Sequence, residues 1–165
     1  MTVLSETIQT AYQLHSDTTT LTPAQLLLVG EARKALENAH APYSQFKVGA
    51  AVLLTSGKII WGSNQENMAY PSGLCAERVA FFTVGAQHPE DKIIAVAITV
   101  KSNLFSVEQP LAPCGACRQA MLEFELKQET PISLILQGEK GNVAIIDSVK
   151  SLLPLYFIEE RLKKD

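Results

Sequence analysis

Three cysteines and one glutamate are the residues whose types and spacing point to chemistry in this chain. Cys75 stands two residues before Glu77, and Cys114 and Cys117 stand three residues apart. Two cysteines at that spacing, at the start of a helix, can face one metal ion, and a thiolate from a neighbouring helix would complete a tripod. Three protein ligands leave the fourth tetrahedral position of a zinc ion to water. The spacing therefore predicts a catalytic zinc site.

Two other uses of the cysteines have to be weighed against this prediction. An odd number of thiols cannot all pair within one chain, and all three fall inside short motifs, so thiolate chemistry is favoured over disulfides. A structural zinc site would need a fourth protein ligand. His15, His40 and His88 lie in no ligand-like spacing, so one of them would have to approach from a distant part of the chain.

The two residues that follow Cys75 and Ala76 carry charge on a segment that is otherwise apolar. Burying Glu77 beside Ala80 and Phe81 would be costly without a function, and we predict that it moves protons. Arg78 is placed to donate a hydrogen bond to a thiolate and to withdraw negative charge from the metal site. An ordinary solvated helix arginine is the other interpretation of Arg78.

The elements that must position these residues alternate between strands and helices. We expect a three-layer α/β/α sandwich with a mixed central sheet of about five strands. Residues 1–21 are predicted to form an extension with at most one strand, and residues 22–165 a single catalytic domain. The predicted elements are a strand over 8–14, a helix capped by Thr22, Pro23 and Gln25, a hairpin of 48–54 and 58–62, a helix after Cys75 packed through Val79, Ala80 and 82–84, a strand over 93–100, a helix from about 114 to 126, strands over 132–136 and 143–145, and a helical end.

Composition and charge disfavour some classes of partner. The net charge is −3, and the 14 basic residues are scattered except for Arg161, Lys163 and Lys164. A nucleic-acid polymer is therefore disfavoured as a substrate, because its binding requires a concentrated basic face. No apolar run approaches the roughly 18 residues of a membrane span, and no export signal is recognisable. We expect a cytoplasmic protein without a membrane partner.

Several motifs in order support a more specific identification. Residues 75–78 read Cys-Ala-Glu-Arg and residues 113–118 read Pro-Cys-Gly-Ala-Cys-Arg. This sequence resembles the small homotetrameric zinc-dependent cytidine deaminases, which carry such a pair of motifs. The resemblance extends from about residue 42 to 157. Further matches are Pro-Tyr-Ser-Gln-Phe at 42–46, Val-Gly-Ala at 48–50, Asn-Gln-Glu-Asn at 64–67, and Leu-Leu-Pro at 152–154 with Phe157.

The resemblance implies an activity and a role for each matched residue. The activity is hydrolytic deamination of cytidine and deoxycytidine to uridine and deoxyuridine with release of ammonia, by a zinc-bound hydroxide and a Glu77 proton shuttle. It also implies one Zn²⁺ per chain and a homotetramer with shared active sites. The implied substrate contacts are Phe46 beside the base, Asn64 and Glu66 on the ribose 3′-hydroxyl, the Ala76 backbone N–H on the pyrimidine carbonyl, Tyr70 near a subunit interface, and Phe157 of a neighbouring subunit stacked on the pyrimidine.

Other interpretations of the same residues stay open at this point. Asn64 and Glu66 fit a turn after a strand equally well. Ser63, Gln65 and the residues around Tyr70 in 68–73 depart from the commonest pattern of the family, whereas Tyr70 itself matches it. The segment 68–73 is expected to border the 5′ end of the sugar. A deaminase of guanine, blasticidin or a modified cytosine would keep the metal and Glu77. Deoxycytidylate is disfavoured as a substrate because the sequence has no basic cluster to bind its phosphate. The alternative from a different functional class is a non-catalytic zinc-binding interaction module.

Overall fold

A six-stranded mixed sheet forms the centre of the computed structural model, which describes residues 3–162. The strand order is β1-β6-β5-β4-β2-β3, with β4 and β5 parallel and every other neighbouring pair antiparallel. The elements are β1 Gln13–His15, α1 Pro23–Ala35, β2 Phe46–Leu54, β3 Ile59–Ser63, α2 Ala76–Gln87, β4 Ile93–Ser102, α3 Gly115–Gln128, β5 Ser133–Gln137 and β6 Val143–Ile146.

Local signals account for how α1 and the first hairpin form. The Thr22 hydroxyl accepts a hydrogen bond from the Gln25 backbone N–H, and the Gln25 side chain accepts one from the Thr22 N–H. This reciprocal pair confirms the predicted capping box, with Pro23 at the first helical position. Strands β2 and β3 turn at Gly57, whose φ of +83° is one that glycine adopts without steric cost.

Helices cover both faces of the sheet. Helix α1 buries Leu28, Val29 and Ala32 against one face of the sheet, and α2 and α3 bury apolar residues such as Phe81 and Met121 against the other. The parallel strands β4 and β5 are joined through α3, as a crossover connection requires. This arrangement confirms the predicted three-layer α/β/α sandwich. No helix among residues 3–162 is long and apolar enough to cross a membrane.

The sheet has one strand more than the five expected. The additional strand is β1, which pairs with β6 through Gln13 to His15. The predicted strand over 8–14 therefore forms only at its end, and Ile8 and Tyr12 are exposed. A period-2 pattern signals a strand only where one face is buried, and residues 3–12 are all exposed.

Two further predictions about helices are wrong. Helix α2 buries Phe81 completely and leaves Phe82 48% exposed, because Glu77, Ala80, Phe81 and Val84 share one face at helical spacing. The predicted helical end is replaced, within the described residues, by the short 3-10 helices Val149–Leu152 and Glu160–Leu162. Of the three clustered basic residues Arg161, Lys163 and Lys164, the last two lie outside the described residues.

Candidate active site

Two helix beginnings bring the three cysteines together. Cys75 and Cys114 are the extended residues that immediately precede α2 and α3, and Cys117 lies in the first turn of α3. The Cys75 and Cys114 sulfurs are 3.8 Å apart, and those of Cys114 and Cys117 are 3.4 Å apart. All three sulfurs lie within 4.8 Å of one another. Helix beginnings favour negative charge, because their first backbone N–H groups have no partner inside the helix.

The electrostatics of the cluster suit a cation between the sulfurs. A hydrogen bond from the Cys117 thiol, together with Arg78, lowers the pKa of Cys75 to about 5. Donating to Cys75 raises the pKa of Cys117, since only one of the two sulfurs can be negative without a cation. The Arg78 Nη2 lies 3.9 Å from the Cys75 sulfur. Three sulfur donors at this spacing fit Zn²⁺.

Glu77 is the one acidic side chain that α2 carries beside this cluster. It is only 4% exposed, and burial raises its pKa above the ordinary value, assisted by the nearby Cys75 charge. Its carboxyl faces the same cavity as Cys75 and Cys114. A carboxyl in this setting can hold a proton and release it next to the metal site.

Cys75, Cys114 and Glu77 lie on the wall of a cavity of about 780 Å³. That volume lies within the range of small-molecule sites. Cys117, Ala76 and Phe157 do not line the cavity. Cys117 and Ala76 are fully buried, whereas Phe157 is 71% exposed. The predicted residues that do line it are Phe46, Asn64, Glu66, Tyr70, Cys75, Glu77, Arg78 and Cys114.

Asn64 and Glu66 are held by hydrogen bonds to the segment around the start of β2. The Asn64 amide accepts from the Val48 N–H at 2.8 Å and donates to the Phe46 carbonyl at 2.9 Å. The Glu66 carboxylate accepts from the Tyr43 N–H at 2.9 Å and from the Ser44 hydroxyl. The Ser44 hydroxyl lowers the pKa of Glu66, so this carboxylate is charged near neutral pH. Both side chains therefore have fixed orientations at the cavity.

The structure adds residues to this site that had no predicted role. Tyr43 and Ser44 line the cavity, and the Tyr43 ring meets the Tyr70 ring edge-on at 5.9 Å. An apolar wall comes from Val48 and Val100, which pair across β2 and β4. The sequence signal for this wall was the alternation of side chains along β2, which puts Phe46 and Val48 on one face. Only the register of the sheet shows that Val100 lies opposite Val48.

Comparison with known proteins adds an independent finding. Residues 24–130 match the family model described as the cytidine and deoxycytidylate deaminase zinc-binding region. A cytidine deaminase of Halalkalibacterium halodurans is 38% identical over 81% of this chain and 94% of its own length. One of Sporosarcina psychrophila is 40% identical over 82% of this chain and 92% of its own.

Solved structures give a similar result. A cytidine deaminase of Burkholderia pseudomallei is 37% identical, with a TM-score of 0.69 over 80% of this chain and 98% of its own. One of Mycobacterium tuberculosis is 28% identical, with a TM-score of 0.63 over 81% of this chain and 97% of its own. The matched range includes both cysteine motifs, so the similarity covers the part of the fold that holds the cavity.

Proposed function

Because this chain belongs to the cytidine deaminase family, we propose that it hydrolyses the amino group at C4 of cytidine and deoxycytidine. The products are uridine, or deoxyuridine, and ammonia. The reaction belongs to pyrimidine salvage, and the enzyme is a zinc-dependent hydrolase acting on the C–N bond of a cyclic amidine.

The observation that carries this proposal is a nearly buried carboxyl beside three converging sulfurs, with Cys75 and Cys114 at the wall of a cavity. Glu77 is 4% exposed, and the sulfurs of Cys75, Cys114 and Cys117 lie within 4.8 Å of one another. A purely structural zinc site has four protein ligands, whereas these described residues offer three. A non-catalytic module would have no use for a buried carboxyl at such a cluster.

The chemistry divides between the metal and Glu77. A bound zinc ion supplies the acidity that makes a water molecule nucleophilic near neutral pH. Glu77 accepts the proton of that water and delivers it to ring N3 of the base. Glu77 then takes up the second proton of the same water, from the oxygen now bonded to C4, and transfers it to the departing amino group. One carboxylate performs both transfers because the first step returns it to its charged state.

The remaining contacts would hold the nucleoside over Glu77. Phe46 lies beside the base, and the Ala76 N–H, at the unpaired beginning of α2, receives the pyrimidine carbonyl. Asn64 and Glu66 bind the ribose 3′-hydroxyl with their remaining hydrogen-bonding capacity. That hydroxyl is present in both sugars, so cytidine and deoxycytidine should both be accepted.

We further propose that the enzyme is a cytoplasmic homotetramer whose sites are shared between chains. Phe157 would stack on the pyrimidine in a neighbouring subunit's cavity, with Tyr70 near the interface. Their exposure of 71% and 76% supports this proposal, because large aromatic side chains left open on one chain suit a contact with another. The division into an extension, 1–21, and a catalytic domain, 22–165, stays a prediction.

An absorbance assay tests the substrate class. The purified protein, loaded with one equivalent of Zn²⁺, is given cytidine, deoxycytidine, deoxycytidylate, cytosine, guanine and blasticidin in turn. We expect turnover of the two nucleosides to exceed that of every other compound by at least about tenfold, a discrimination of about 1.4 kcal/mol.

The Glu77→Gln variant with the same zinc content is the control for contaminating activity. A preference for guanine or blasticidin would replace cytidine as the substrate, while leaving the metal and Glu77 in their roles. A zinc-loaded protein that deaminates none of the compounds would contradict the proposed activity.

A further inference from the structure

Arg118 joins two segments that are distant in sequence. It lies in the first turn of α3, directly after Cys117, and its side chain is partly buried. Its Nε donates a hydrogen bond to the Pro113 carbonyl at 2.7 Å, and its Nη1 donates one to the Leu152 carbonyl at 2.8 Å. Hydrogen bonds from a charged donor are about twice as strong as neutral ones. One side chain thus connects the residue before Cys114 to a segment near the carboxyl terminus.

Residues 152–158 form that segment, the carboxyl-terminal arm. Leu153 and Tyr156 pack against the hydrophobic core between the sheet and helices α2 and α3. Leu155 has a φ of +53°, in the left-handed region that leucine seldom adopts, and turns the chain between these two anchors. Phe157 then lies outside the core, 71% exposed. The direction of Phe157 therefore depends on how firmly the arm is held at its start.

Helix α3 holds the start of the arm at two points. The carboxylate of Glu125, three turns from Cys114, accepts hydrogen bonds from the Ser148 hydroxyl at 2.6 Å and the Val149 N–H at 2.9 Å. Those contacts fix the 3-10 helix that precedes the arm. Arg118 binds the Leu152 carbonyl, at the arm itself. Arg118 is therefore the contact by which the metal-binding turn of α3 is connected to the arm.

We propose that Arg118 is a positioning residue for the carboxyl-terminal arm, aligning Phe157 relative to the metal-binding turn. Arg118 does not line the cavity, so it acts through the arm and not on the substrate. The inference rests on the proposed role of Phe157 at a neighbouring site. An arginine of purely structural importance would affect the free energy of unfolding while leaving substrate affinity unchanged.

The experiment compares Arg118→Met with Glu123→Gln in the zinc-loaded enzyme. Methionine keeps much of the apolar stem but removes both donors, and Glu123 is an exposed residue of the same helix. Hydrogen–deuterium exchange at the backbone amides of Leu153 and of residues 155–158 measures how firmly the arm is held, independently of activity. We expect faster exchange there in Arg118→Met, at least about threefold, and no change in Glu123→Gln.

Steady-state kinetics on cytidine provides the second readout. We expect KM to rise about three- to tenfold in Arg118→Met, with kcat within about twofold of the unmodified enzyme. If Arg118 acts through the arm, the double variant Arg118→Met with Phe157→Ala should show a KM no higher than that of Phe157→Ala alone. If the increase in KM of the double variant equals the product of the two single-variant increases, Arg118 acts independently of Phe157, and the inference is overturned.

The outcomes separate this inference from the shared-site proposal. If Phe157→Ala leaves KM unchanged, the shared site fails, and the exchange measurement still tests whether Arg118 holds the arm. If Phe157→Ala raises KM while Arg118→Met alters neither exchange nor KM, the inference about Arg118 is wrong. Should Arg118→Met not fold, Arg118→Lys keeps the charge with one compact donor group. Unchanged exchange and KM in Arg118→Lys would then contradict a role that needs both hydrogen bonds.

Discussion

At the scale of single residues, two buried carboxyl groups show how differently the fold uses charge. Glu125 accepts hydrogen bonds from four neighbouring groups, on Ile132, Ser148, Val149 and Lys150, and so holds loops to α3. Glu77 instead faces the cavity next to the cysteines, where burial raises its pKa. Four hydrogen bonds offset the desolvation of the Glu125 carboxylate. Glu77 has no comparable set of hydrogen bonds within the described part of the chain, so its burial is better explained by a role in function than by stability.

Replacing Glu77 by glutamine tests this function. The amide fills nearly the same volume but cannot accept and pass on a proton. We expect zinc content and thermal stability to stay near those of the unmodified enzyme, and kcat for cytidine to fall by about 10² to 10⁴-fold. Elemental analysis, thermal denaturation and stopped-time assays measure the zinc content, the stability and kcat in turn. A variant with more than roughly a tenth of the original kcat would contradict the proton-shuttle role.

The cysteines allow a separate prediction about the metal. Cys114→Ser and Cys117→Ser should each lose most of the bound zinc, because a serine hydroxyl is a poor replacement for a thiolate ligand. The unmodified enzyme should contain one zinc per chain and react with a thiol reagent only after a strong chelator is added. Ser44→Ala, which leaves the cluster intact, is the control for zinc content. Three freely reactive thiols in fully active enzyme would be incompatible with the assigned ligands.

At the scale of elements, the position of α2 depends on its close approach to β3. A Cβ added at Gly62 would lie 2.2 Å from the Ala76 carbonyl oxygen and 2.5 Å from the Ala80 backbone nitrogen. Backbone atoms at that distance cannot move without moving the first turn of α2, which carries Glu77 and follows Cys75. The absence of a side chain at Gly62 therefore sets the place of the metal ligands relative to the sheet.

Gly62→Ala should consequently harm both the fold and the site. We expect a loss of about 1–3 kcal/mol in the free energy of unfolding, typical of overpacking, together with reduced zinc content. Gly30→Ala is the matched control, because Gly30 lies inside α1 with nothing within 4 Å of an added Cβ. That variant should gain about 0.5–1 kcal/mol. Denaturant titration and elemental analysis compare the two, and equal stability would refute the close-packing argument.

At the scale of the whole molecule, the cavity of one chain is open where the substrate would have to be shielded from water. Several large apolar residues that line it are exposed, among them Tyr70 at 76% and Tyr43 at 46%. Closing the cavity with a second chain would exclude water from the reacting groups. A flat aromatic such as Phe157 over the base would add about 1–3 kcal/mol of binding.

Complementation between two impaired variants tests the shared site. Phe157→Ala should raise KM by roughly ten- to a hundredfold with zinc content unchanged. Mixed with Glu77→Gln chains under conditions of subunit exchange, it should regain part of the original activity at low substrate. The reason is that some sites then combine a sound Glu77 with a sound Phe157 from different chains. A fully active monomer by light scattering, or no recovery despite demonstrated exchange, would exclude sharing.

Much of this architecture follows from short-range patterns in the sequence. The capping box at Thr22, the hairpin turning at Gly57 and the helices after Cys75 and Cys114 depend on neighbours within a few residues, and the structure confirms each. Local patterns failed where two neighbouring residues compete for one face. Phe81, and not Phe82, enters the core, because the exact phase of α2 is set by what it packs against.

The tertiary structure alone decided which distant residues meet. Spacing within the chain placed Cys114 near Cys117, but the 3.8 Å approach of Cys75 requires two helices to begin at the same end of one sheet. The pairing of β1 with β6 and the reach of Arg118 to Leu152 had no signal in the sequence. Such contacts join segments far apart along the chain. Their formation depends on the packing of whole elements, which local propensity does not encode.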